Sequence, residues 1–71
     1  MQLNDAETIA AEFLVNRLKA KSIDLLESRK GPEPNRTSVR FLVEDADERW
    51  TKFEVKVDSA TKKVVTFGMI F

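Results

Sequence analysis

Apolar and polar positions change rhythm once along this chain. Up to about Ser28 the apolar residues recur three and four apart, the spacing of a helix face; from Thr37 onward they alternate singly with polar ones, the spacing of a strand. Asn4 followed three residues later by Glu7 has the form of a capping box, and Asp5 and Glu7 sit in the first turn, where acidic groups meet the positive helix end. No Gly or Pro falls between Ala6 and Ser28; Arg29 and Lys30 suit the carbonyl end, and Gly31-Pro32 stops the run. The pattern predicts one long helix over about 5–29, roughly 35 Å at 1.5 Å per residue. Residues 31–36, opening with GPEPN, read as a stiff linker.

Three strands follow in this reading, over about 37–44, 49–58 and 64–71. Val39, Phe41 and Val43 alternate with Arg40, Leu42 and Glu44, and Thr51, Phe53, Val55 and Val57 alternate with Lys52, Glu54, Lys56 and Asp58. Asp45 to Arg49 closes a hairpin in which Val43 meets Thr51, Phe41 meets Phe53 and Val39 meets Val55, while Arg40 meets Glu54 on the other face. The last run, VVTFGMIF, could turn either Val64, Thr66, Gly68 and Ile70 or Val65, Phe67, Met69 and Phe71 inward, and the second set carries more apolar surface. Placing Val65 opposite Val57 needs a five-residue loop, Ser59 to Lys63, with Lys62 in the left-handed region at a cost on the order of 1 kcal/mol. The expected fold is a single α+β domain: one long N-terminal helix on a three-stranded antiparallel meander, αβββ.

Two stripes run down the expected helix. Ala11, Leu14, Val15, Leu18, Ser22, Leu25 and Leu26 make the face turned to the sheet, and Ile9, Phe13, Asn16, Ala20 and Ile23 lie nearly opposite. One sheet cannot cover both sides of a helix, so the second stripe is assigned to a protein partner, most economically a second copy in a homodimer.

Composition narrows the chemistry. The 71 residues suffice for one domain. There is no Cys and no His, which removes disulfides, Cys or His zinc ligands, thiol nucleophiles and imidazole acid/base catalysis. No signal for a substrate cleft compensates, so the chain is read as non-catalytic, with no cofactor and no metal. Glu44, Asp45, Asp47 and Glu48 crowd a hairpin tip without the ordered ligands and glycine of a calcium loop, and are read as a solvated turn. Twelve basic and twelve acidic residues cancel. No apolar run nears the roughly 20 residues that span a bilayer, and the N-terminus lacks the form of a secretory signal, so a cytoplasmic location without membrane contact is expected. Asn35-Arg36-Thr37 matches a glycosylation sequon and is read as loop.

The stretch FEVKVDSATKKVV resembles the strand, turn and strand signature of PepSY-like domains, through Phe53, Val55, Val57, Asp58, Thr61, Val64 and Val65. Lys62 stands where that family has glycine, and the likeness covers about a fifth of the chain. It implies a helix-plus-sheet module that binds or restrains a partner such as a peptidase at the cell envelope. The outer sheet face offers a second contact surface, with Trp50, Leu42 and Ile70 together. Arg36, Arg40, Lys52, Lys56, Lys62 and Lys63 around Trp50 also suggest a single-strand nucleic-acid platform, although Glu54 and Asp58 interrupt the charge. The reading preferred is a protein-interaction or assembly module.

Overall fold

The computed structural model describes residues 4–70 and contains a helix α1 (Asp5–Leu18) and strands β1 (Ser22–Lys30), β2 (Arg36–Glu44), β3 (Trp50–Asp58) and β4 (Lys63–Met69). The strands form one antiparallel sheet in the order β1-β2-β3-β4, with the helix on one face. The fold is α+β as expected, but with four strands where three were read. The helix ends at Leu18, and residues assigned to its second half form β1.

The N-terminus of α1 is built as its sequence requires. Asn4 Oδ1 accepts from the Glu7 amide at 2.8 Å and Glu7 Oε1 from the Asn4 amide at 3.0 Å, a complete capping box. At the other end Lys19 takes left-handed backbone, φ 55°, and ends the helix without a glycine. Continued as a helix, residues 22–30 would spread Ile23, Leu25 and Leu26 over opposite sides and leave one side in water. As a strand they pair with β2, and Ile23 and Leu25 both pack against the core. That pairing makes β2 an interior strand, and its Val39, Phe41 and Val43 are almost wholly buried. The GPEPN segment is therefore a hairpin loop and not a linker: the Gly31 amide donates to the Arg36 carbonyl at 2.8 Å, and Asn35 supplies a left-handed residue.

The two stripes of the helix also resolve differently. Ala6, Ala10 and Leu14 are the buried residues of α1, with Ile9 and Phe13 on one flank and Ala11 and Leu18 on the other, all packed on the core. At about 100° per residue these span an arc of about 200°, so the expected stripes are the two margins of one broad apolar face centred on small alanines. Ala6 and Ala10 let the helix axis approach the sheet, and the twisted sheet reaches both margins. Phe13 meets Phe67 of β4 edge-on, with centroids 4.9 Å apart. Asn16 is exposed, whereas Ile9, Phe13, Ala20 and Ile23 are half-buried against the chain's own core. The opposed helix face from which a homodimer was inferred is not formed.

The β2–β3 register is as read: Val43 with Thr51, Phe41 with Phe53, Val39 with Val55 and Arg40 with Glu54. In β4 neither expected set faces the core as a whole. Val57 lies opposite Val64 and Lys56 opposite Thr66, so Val65 is an extra, exposed residue in a bulge. The bulge reverses the alternation, turning Val64 inward before it and Phe67 and Met69 to the same side after it. The loop is accordingly four residues long, Ser59 to Lys62, with Lys62 left-handed at φ 57°. Phe71, also expected to face inward, lies outside the described residues.

Candidate interaction face

With α1 on one side of the sheet, the opposite side is left to the side chains of the strands themselves. Register fixes its rows. Ser22, Glu44 and Trp50 make the first; Asp24, Leu42 and Lys52 the second, with Ile70 joined to it by the hydrogen bond that its amide donates to the Lys52 carbonyl at 2.9 Å. Glu27, Arg40, Glu54 and Gly68 make the third; Arg29, Ser38, Lys56 and Thr66 the fourth; Arg36 and Asp58 close the end.

A second bulge shapes the third row. Leu25 pairs with Phe41 but Glu27 with Arg40, so Leu26 is the extra residue in β1. Strict alternation from Ile23 and Leu25 would drive the Glu27 carboxylate into the core. The bulge instead sends Glu27 outward, where it pairs with Arg29 and lies 3.7 Å from Arg40 Nη1. Arg40 Nε also donates to Glu54 Oε2 at 3.0 Å, giving a half-exposed cluster of one guanidinium between two carboxylates. Arg36 is paired with Asp58 at 3.6 Å.

Around this cluster the first three rows carry the apolar groups. Trp50 is 47% exposed and Leu26 48%; Leu42 is half-buried, and Leu26 and Ile70 line one shallow depression with Glu27, Arg40 and Lys52. Leu42 and Trp50 are diagonal neighbours on adjacent strands, within reach of a large side chain. The fold thus unites Leu42, Trp50 and Ile70 as the sequence suggested, separates them from Ile9, Phe13, Ala20 and Ile23, and adds Leu26 and Glu27. The overlooked signal is Leu25-Leu26 itself, since adjacent leucines in a strand cannot both face one core.

The turns account for other singled-out residues. Asp45 Oδ1 accepts from the amides of Asp47 and Arg49 at 2.8 and 3.0 Å, so that carboxylate is spent on holding the β2–β3 loop. Among the described residues no group of three or more acidic side chains is arranged to hold a metal ion. Asp58 Oδ1 likewise accepts from the amides of Ala60 and Thr61, forming the turn of the hairpin that carries the PepSY likeness. Among the described residues no helix is long and apolar enough to cross a membrane. No family model matches the chain, and comparison with curated proteins and with solved structures gives no match.

Proposed function

We propose that this chain is a non-catalytic protein-interaction module whose docking surface is the helix-free face of its sheet. The observation that carries the reading is the half-exposed Trp50 grouped with Leu26, Leu42 and Ile70 beside an ion-paired cluster on a face that no element among the described residues covers. A tryptophan among aliphatics, beside arginines whose charges are already paired, is the composition of a binding hot spot, because a partner can cover those arginines without stranding their charge. Paired arginines also favour a protein over a nucleic acid, since Arg36 and Arg40 would have to give up carboxylates to hold phosphates. Replacing Trp50 with a photo-reactive phenylalanine analogue tests the reading in extract of the source cells, with the same analogue at exposed Glu12 on α1 as control. A discrete adduct from position 50 and none from position 12 is the expected result; equal labelling from both, or none from either, would remove it.

A further inference from the structure

Resting on that docking face, we infer that its occupant is a second copy of the chain, stacked face to face about a two-fold axis that runs along the strands between β2 and β3. Two features of the face select this axis. The first is charge: the axis sets Arg40 over the partner's Glu54 and Glu54 over the partner's Arg40, so the existing pair becomes an alternating square of four charges. An axis across the strands instead lays Arg40 on the partner's Arg40. The second is apolar placement: the strand-parallel axis keeps the Trp50 and Leu42 rows of both copies at the same end, whereas the crossing axis through Arg40 lays the Leu42 row on the row of Arg29 and Lys56 and the Trp50 row on the Arg36–Asp58 end.

Size and net charge agree with this. Three strands of nine residues and one of seven, about 4.8 Å apart and rising about 3.4 Å per residue, make a face of roughly 550 Å² in projection, before side-chain relief is added, against about 800 Å² per partner in a standard interface. Equal numbers of acidic and basic residues leave no net repulsion between copies. Lys52, which lies opposite Leu42 on the adjacent strand, would lie over the partner's Leu42, where its stem covers the leucine and its ammonium reaches for the partner's Glu44.

A charge-reversal exchange tests the assignment by sedimentation equilibrium. R40E alone and E54R alone each place like charges across the interface, and each is expected to weaken self-association at least about tenfold. An equimolar mixture of the two restores it, because the carboxylates of one chain then face the guanidiniums of the other, although within each chain the pair stays repulsive. Circular dichroism establishes that both variants are folded, and for the unaltered chain Trp50 emission provides a second measurement, shifting to the blue and losing acrylamide quenching as concentration rises. A mixture no more associated than its components, an R40E chain that pairs as well as the unaltered one, or Trp50 emission independent of concentration up to millimolar chain would overturn the second copy. A discrete adduct with a different protein at position 50 would still uphold the docking face, so the two failures are distinguishable.

Discussion

Lys19, Asn35, Glu48 and Lys62 hold left-handed backbone, with φ of 55°, 65°, 62° and 57°, while neither glycine has a positive φ. Asparagine tolerates this region, but a lysine there sets Cβ against the following carbonyl at roughly 1–2 kcal/mol. Glycine escapes that clash and loses more chain entropy on folding, about 0.5–1 kcal/mol. Lys62→Gly is therefore expected to raise stability by about 0.5–1 kcal/mol, read from the midpoint of urea unfolding at unchanged slope; an unchanged or lower midpoint would show the turn already unstrained. The same residues explain what the sequence concealed. A left-handed Lys62 was expected, but from a five-residue loop with Val65 opposite Val57; the structure holds it in a four-residue loop with Val64 at that position. The left-handed Lys19 was not legible, because a helix that ends on lysine within a run free of Gly and Pro has no punctuation.

At the scale of elements, the two bulges decide what faces the core. Leu26 in β1 and Val65 in β4 each insert one residue, and each reverses the alternation where strict pairing would expose apolar groups or bury a carboxylate. Both fall on the edge strands of the sheet, where a bulge also disrupts the flat edge that would otherwise template pairing with another chain. Deleting Val65 removes the extra residue and leaves strict alternation, with Val64 still opposite Val57 and Phe67 still opposite Val55. No apolar side chain leaves the core, and the variant is expected to stay within about 1 kcal/mol of the unaltered chain in urea unfolding. A loss of about 1.5–3 kcal/mol, the burial of one large apolar side chain, would mean that Val65 is not the extra residue. The β2–β3 hairpin was legible because both faces of its alternation agree on one register. Residues 22–30 were not, because short apolar runs fit a helix or a strand alike and only the pairing with β2 separates them.

For the whole molecule, the division between the sheet face that α1 covers and the opposite one is the property on which the proposed docking rests, and the charges of that face bear on the choice between a protein and a nucleic acid. Of the basic groups on that opposite face, Arg36 is held by Asp58, and Arg40 by Glu54 and Glu27. Among the described residues Lys52 and Lys56 form no ion pair, and Glu54 lies between them on β3. Phosphate binding draws its strength from cations that release condensed counterions, so two separated lysines and paired arginines supply little of it. Trp50 alone could stack one base, worth about 1–3 kcal/mol, which a strand-binding protein multiplies with several aromatic platforms. No retardation of a labelled single-stranded oligonucleotide is therefore expected at low salt, where phosphate contacts are strongest. A complex that forms there, dissolves as salt is raised and weakens on Trp50→Ala would transfer this face from a protein partner to a nucleic-acid strand. It would also mean that Arg40 exchanges its carboxylates for phosphate on binding, which E54Q would make easier and so tighten the complex.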